Sequence, residues 1–255
     1  MAIRFSYDTG TFEVGRYRGA PIHLSAMFFI SALALSFPFW RAVNVRGLVL
    51  TVTFIAVFFA SILVHELAHA YMAMRYRVRV ERIDINMLGG LVHFRGLPHT
   101  MRQDFLITAA GPLSNLAVGV VAFMLLLPVM PLVHSDPTFG SRAVADYVSQ
   151  PSMLALVLRA TAYLNIGLFA VNLLPGVPLD GGKLVYLLVE ERWNRRIALL
   201  TVSSLGMVFA VVTGFVMLAS LLLGCPIWAP PAFRTNLEAF NAARAGRGNW
   251  DAVAF

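Results

Sequence analysis

The stretch Gly47-Leu-Val-Leu-Thr-Val-Thr-Phe-Ile-Ala-Val-Phe-Phe-Ala-Ser-Ile-Leu-Val-His-Glu-Leu-Ala-His-Ala-Tyr-Met-Ala-Met74 decides the fold. Residues 48–64 are apolar or hydroxylated throughout, and with the flanking residues they reach the roughly 20 apolar positions a bilayer-spanning helix needs. His65, Glu66 and His69 then appear inside the same helical run. Histidines four apart lie on one helix face, so both imidazoles can aim at a single metal ion, with Glu66 placed to take a proton from a bound water. Six His and six Glu among 255 residues give this H-E-x-x-H string a chance expectation of about 0.003 occurrences. Ionisable groups inside a span are costly and usually functional. The triplet therefore reads as a zinc site rather than as hydrogen bonding on a wet helix face.

Composition agrees with that placement. The chain is 58% apolar and 13% charged, with a mean hydropathy of +0.73, whereas soluble domains carry roughly 25% charged residues. A compact soluble fold, a disordered chain and a fibrous protein all fit poorly. The net charge of +7 is almost wholly arginine, with Lys183 the single lysine. No polar domain carries a basic cluster, so the charge reads as loop arginine that sets orientation in a membrane, and no nucleic-acid partner is expected. Cys225 is the single cysteine, which leaves His, Asp, Glu and backbone groups as metal ligands.

The expected fold is an all-α multi-pass membrane protein of about five to six transmembrane helices, with a small β-hairpin after the second span. Residues 1–21 are polar and turn-prone and form a cytoplasmic N-terminal segment; 22–224 are the membrane-embedded core; 225–255 are a C-terminal tail of weak amphipathic character. The first span runs from 22 to about 40 and is read as uncleaved, the second from 47 to about 74, the third from about 105 to 130 and the fourth from 153 to 174. A shorter apolar stretch covers 184–189, and the last clear span is 197–224. Between spans two and three, 82–86 and 91–94 alternate as strands around a Gly89-Gly90 turn. This connection is rich in arginine, which places it in the cytoplasm. His65 lies ten residues before Arg75, about 15 Å along a helix, so the triplet sits within the membrane toward the cytoplasmic side.

A catalytic zinc takes a third protein ligand and leaves its fourth position to water. His134 and Asp136 lie in the loop at the opposite side, and Glu190 and Glu191 in a charged cluster. Asp180 follows the break at Pro175–Pro178, where irregular backbone at membrane depth must line a polar cavity. It reads either as a metal ligand or as the N-cap of a helix starting near Gly181. Asn165 and Asn172 fall roughly on one face of span four.

His65-Glu66-Leu67-Ala68-His69, followed by Asn172-Leu-Leu-Pro-Gly-Val-Pro-Leu-Asp180-Gly-Gly, resembles the site-2 protease family of intramembrane zinc metalloproteases. That family typically shows N-x-x-P-x-P-x-L-D-G; Val177 stands here where the inner proline usually falls. Gly111-Pro112-Leu-Ser-Asn115 resembles its third-span G-P-x-x-N element, Gly89-Gly90 its hairpin glycine pair, and Gly19-Ala-Pro-Ile-His23 its entry into span one. The resemblance covers about residues 15–196. It implies one catalytic Zn²⁺ held by His65, His69 and Asp180, Glu66 as general base, and a transmembrane protein as substrate. Asn172, and after it Asn115, are the candidates for stabilising the oxyanion, or else ordinary interhelical hydrogen bonds. His23 and His93 read as interfacial residues. A multi-pass protein of a bacterial or archaeal inner membrane is expected, with its site toward the cytoplasm. The competing readings are another H-E-x-x-H membrane protease that uses a downstream glutamate, a catalytically silent scaffold, which would have no need of Glu66, and a metal carrier, which would show more than one intramembrane ligand cluster.

Overall fold

Val45–Arg75 forms one unbroken helix of 31 residues, so the apolar run and the H-E-x-x-H string share a single axis. It belongs to a computed structural model that describes residues 4–6, 10–36, 45–86, 89–96, 98, 100–129, 152–222 and 233–246. In chain order the elements are β1 (Arg4–Ser6), β2 (Thr11–Tyr17), β3 (Ala20–Ser25), α1 (Ala26–Leu35), α2 (Val45–Arg75), β4 (Arg79–Asn86), β5 (Gly89–Arg95), α3 (Met101–Leu126, extended by a 3-10 turn, Leu127–Val129), α4 (Met153–Asn172), α5 (Asp180–Arg192), α6 (Arg195–Leu222) and α7 (Phe233–Arg244). Among the described residues four helices are long and apolar enough to cross a membrane: Gly47–Arg75, Met101–Val129, Met153–Asn172 and Arg195–Ala219.

The N-terminal quarter differs from the sequence expectation in two ways. The span expected over 22–40 begins as strand: β3 continues to Ser25, and α1 has only 10 residues. That is about 15 Å of helix, half of a hydrocarbon core of roughly 30 Å; residues 37–44 lie outside the described set. Among the described residues the long apolar helices number four, against an expectation of about five to six for the whole chain. The expected hairpin is also part of something larger, a five-stranded sheet of order β1-β2-β3-β4-β5. Residues 20–25 alternate buried and half-buried, with Ala20, Ile22 and Leu24 inward, but the alternation is short and runs directly into apolar helix, which hides it in a hydropathy profile. The boundary expected after residue 21 falls inside β3.

Most of the sheet is antiparallel, but β3 runs parallel to β4, pairing Ile22 with Ile83 and Leu24 with Ile85. β2 turns into β3 through Arg18-Gly19, with φ of 47° and 93°, the left-handed pair that a two-residue hairpin requires. Ile83, Ile85, Val80 and Val92 pack with Phe28, Phe58, Ile62, Ala70 and Ala73 into one core. Ala70 and Ala73 have no exposed surface; larger side chains there would hold the sheet away from α2. The glycine pair also sits differently from its expected place. Gly89 and Gly90 lie within β5, paired with Asn86 and Ile85, and do not form the turn.

The bundle is capped and packed in ordinary ways. Thr100 and Ser152 cap α3 and α4 by accepting from Gln103 N and Ala155 N, each at 3.2 Å. A Cβ on Gly119 would come within 2.8 Å of Ile166 Cγ1 and 3.2 Å of its backbone nitrogen, so the small residue sets how closely α3 and α4 approach. A second core joins Val177, Tyr186 and Leu187 to Leu199, Val202, Ala239 and Ala243. Residues 233–244 of the expected tail therefore share a core with the helices they follow.

α2 ends in a Schellman motif, with Val78 N bonded to Ala73 O at 2.9 Å and Arg77 N to Met74 O at 3.0 Å. Arg77 occupies the left-handed position, at φ 64°, and its side chain is exposed. A non-glycine residue there costs roughly 1–2 kcal/mol, partly offset by the chain entropy that glycine adds to the unfolded state. Arg77→Gly is expected to raise stability by about 0.5–1 kcal/mol, read as a higher midpoint in thermal unfolding of the detergent-solubilised protein. An unchanged or lower midpoint would count against the capping assignment.

Candidate metal centre

Because α2 is a regular helix at residues 65–69, His65 and His69 project side by side, with ring centroids 4.7 Å apart and Nε2 atoms 3.1 Å apart. Both are buried, as is Glu66 between them. The third group arrives from far along the chain. α4 stops at Asn172, the backbone turns through Pro175–Leu179, and α5 opens at Asp180. Asp180 Oδ2 lies 3.0 Å from His65 Nε2 and 3.4 Å from His69 Nε2. Asp180 is not the N-cap: that position is Leu179, and no side chain caps the helix. The carboxylate is thus turned toward the histidines rather than toward its own helix.

The three separations test whether zinc fits. With zinc–ligand bonds of about 2.0–2.1 Å, two ligand atoms of a tetrahedral site stand about 3.3 Å apart. The observed edges of 3.0, 3.1 and 3.4 Å match one face of such a tetrahedron. Two imidazoles and a carboxylate are also a donor set that zinc takes. His65, His69 and Asp180 are the one group of three or more potential ligands that converges among the described residues.

Behind the ligands, hydrogen bonds fix each ring. His69 Nδ1 donates to Ile107 O at 2.8 Å. His65 Nδ1 donates to Asn115 Oδ1. Asn115 Nδ2 donates to Asn165 Oδ1 at 2.8 Å and to Ser61 O at 3.4 Å, and Asn165 Nδ2 donates to Ser61 Oγ and Thr161 O, both at 2.9 Å. With both Nδ1 atoms donating, both Nε2 lone pairs face the same point. Carbonyl partners of this kind orient metal-bound histidines generally. Asn115 and Asn165 have no exposed surface.

Glycines provide the space. A Cβ on Gly111 would overlap His69 Nε2 and stand 2.7 Å from His65 Nε2, and one on Gly90 would overlap the Glu66 carboxylate. α3 and β5 therefore face the site with bare backbone. A Cβ on Gly181 would overlap the Leu173 carbonyl, and one on Gly182 would lie 2.5 Å from Gly176 O, so the Asp-Gly-Gly sequence lets α5 press onto the turn that precedes it. Lys183 Nζ, 2.7 Å from Asp104 Oδ1, ties the first turn of α5 to that of α3.

The other candidates are placed as follows. Asn115 lies behind His65 with its amide committed to the network, and Asn172 is half-buried at the end of α4 with no hydrogen bond to the ligand set. Glu190 accepts from Tyr186, and burial together with that bond holds the tyrosine hydroxyl above the usual phenol range; neither Glu190 nor Glu191 joins the ligands. His134 and Asp136 fall outside the described residues. His23 and His93 flank Asp84 at 3.2 and 2.7 Å, and Arg82 Nε reaches the same carboxylate at 2.9 Å. They form a sheet-face cluster away from the histidines of α2. Sequence reasoning gave no role to Ser61, Ile107 O or Gly111. Of these, Gly111 stood within a recognised motif, and the other two carry no signal at all.

Gly111→Ala is expected to retain helix content by circular dichroism yet lose most zinc, because the new methyl overlaps the ligand nitrogens. Asn115→Ala is expected to weaken zinc about 10–100-fold in chelator competition. Native affinity in both variants would remove these two residues from the metal centre.

Comparison with known proteins agrees with the geometry. The chain is 39% identical over 129 residues to Rip3 of Mycobacterium tuberculosis, covering 49% of this chain and 28% of that protein. It is 29% identical over 136 residues to zinc metalloprotease MJ0392 of Methanocaldococcus jannaschii, covering 53% and 34%. The chain thus spans about a third or less of these curated relatives. The solved structure of the site-2 protease from Methanocaldococcus jannaschii shares the fold, with a TM-score of 0.58 at 18% identity over 92% of this chain and 94% of that one. The profile described as Peptidase family M50 matches residues 53–219, which hold both histidines, Glu66, Asn115 and Asp180. The chain is an integral membrane member of peptidase family M50, the zinc metalloprotease family of the site-2 protease type.

Proposed function

We propose that this chain is the catalytic core of an intramembrane zinc metalloendopeptidase that hydrolyses peptide bonds in or near the transmembrane segments of membrane-anchored proteins. One observation carries the reading. Two imidazoles and a carboxylate converge within 3.4 Å, with a second carboxylate beside them, in the interior of apolar helices. His65, His69 and Asp180 hold the metal, and zinc when bound acidifies water and polarises the scissile carbonyl. Glu66 accepts the proton of the attacking water and returns it to the leaving amine, which balances the hydrolysis. Asn115, through His65, is a positioning residue rather than an oxyanion donor. Asn172, at the end of α4 before the turn to Asp180, is the remaining candidate to donate to the oxyanion.

A transmembrane substrate helix has its carbonyls hydrogen-bonded internally and must unwind before attack. β5 ends the described sheet and pairs only with β4 within it, and Gly90 sets its backbone against Glu66. An unwound segment adding to that edge would satisfy its exposed backbone groups and lie beside Glu66. The arginine-rich connection around β4 and β5 favours a cytoplasmic placement of this entrance, in a bacterial or archaeal inner membrane.

Purified protein incubated with a single-span substrate tests this reading. About one zinc per chain and cleavage are expected from the native protein, full zinc but at least about 100-fold slower cleavage from Glu66→Gln, and loss of zinc from Asp180→Ala. Cleavage by Glu66→Gln at the native rate would remove Glu66 as base. Full zinc occupancy in Asp180→Ala would move the third ligand elsewhere.

A further inference from the structure

The backbone turn that delivers Asp180 is held from outside the residues matched to the family. Asn236, on α7, has no exposed surface. Its Oδ1 accepts from Val177 N at 3.1 Å and its Nδ2 donates to Val177 O at 2.9 Å. One side-chain amide thus satisfies both backbone groups of a single buried residue, as a neighbouring strand would. Val177 is 1% exposed and stands three residues before Asp180. The turn's own bonds lie on either side, Gly176 N to Leu174 O and Leu179 N to Gly176 O, both 2.9 Å.

The path from α7 to this turn crosses α6 at a glycine. A Cβ on Gly206 would overlap Asn236 Oδ1 and Cγ and stand 2.8 Å from Nδ2. Gly176 meets the same place, where its own Cβ would be 2.8 Å from Gly206 Cα. Gly182 in turn packs on the Gly176 carbonyl. A continuous series of backbone contacts therefore runs from α6 through Gly176 to the first turn of α5, and Asn236 locks it from behind. Irregular backbone within a membrane protein needs such partners where it is buried in protein, as Val177 is. Metal ligands must be held within about 0.5 Å of their working positions.

We propose that Asn236 is a positioning residue for Asp180, so that α7 is a working part of the metal centre and not an appended tail. The proposal rests on the reading of His65, His69 and Asp180 as a zinc site. It assigns no contact between Asn236 and metal or substrate. Its effect passes through Val177 and is confined to the third ligand, because His65 and His69 are fixed separately by α3.

The test uses the full chain in detergent, with zinc affinity measured by chelator competition and the visible spectrum of the cobalt-substituted protein as a report of ligand geometry. Asn236→Ala is expected to weaken zinc about 10–100-fold and to change the cobalt spectrum, with helix content retained. Gly206→Ala, which keeps every polar group and displaces Asn236 sterically, is expected to do the same, and it stands alone if Asn236→Ala does not fold. The double variant should lose no more than the worse single one, since both act through one contact. Native zinc affinity and an unchanged cobalt spectrum in the single variants, even with lowered thermal stability, would reduce Asn236 to a structural role and overturn the proposal. Additive losses in the double variant would do so too. Failure of the native chain itself to bind zinc would instead remove the metal-centre reading on which the proposal rests.

Discussion

Three electron-pair donors from two distant segments are forced to within 3.0–3.4 Å of one another inside an apolar bundle, and the rest of the structure depends on that convergence. Ionisable groups at the centre of a membrane helix each cost about 2.5–3.5 kcal/mol. Bringing their lone pairs together adds repulsion unless a cation sits among them. Such an arrangement will not hold itself. Each donor is therefore gripped from behind: His69 by the Ile107 carbonyl, His65 by Asn115, and Asp180 by the short α5 and the turn before it.

The two halves of the site solve this problem differently. His65 and His69 need only a regular helix, because a four-residue spacing aligns them. Their supports on α3 are a carbonyl and an amide projected from a single helix, on either side of its internal Pro112. Asp180 comes 115 residues after His65 and enters at a helix start, after backbone that forms no continuous ladder. Precision there depends on close backbone contact, at Gly176, Gly181 and Gly182.

This division also explains what could be read in the sequence. The H-E-x-x-H string declares its spacing and chemistry locally, and polar residues inside an apolar run announce their depth, so His65, Glu66 and His69 were legible from the chain alone. Asp180 was legible as one of two alternatives, ligand or cap, and only the direction of its carboxylate separates them. The long spans were legible because hydropathy is a local sum. The sheet was not: β3 lies where alternation merges into an apolar helix, and its parallel pairing with β4 joins residues about sixty apart. Gly90 was misread as a turn because a glycine pair between strands usually means one. Here the glycine is required by the Glu66 side chain across the interface. Asn236 had no local signal whatever, because its meaning lies in the backbone of Val177.

The glycines around the site share one physical consequence. Gly111 faces the two ligand nitrogens and Gly90 faces the carboxylate beside them, so two walls of the centre are main chain. A side chain at Gly111 would overlap the imidazoles, and one at Gly90 would overlap Glu66. A main-chain wall also presents amide and carbonyl groups in the form that an unwound peptide matches, whatever its side chains. Under the proposed function, in which the substrate is a segment pulled out of a helix, that property serves the site better than a tailored pocket would. The buried amides stand further back: Asn115 and Asn165 behind His65, and Asn236 behind the turn that precedes Asp180.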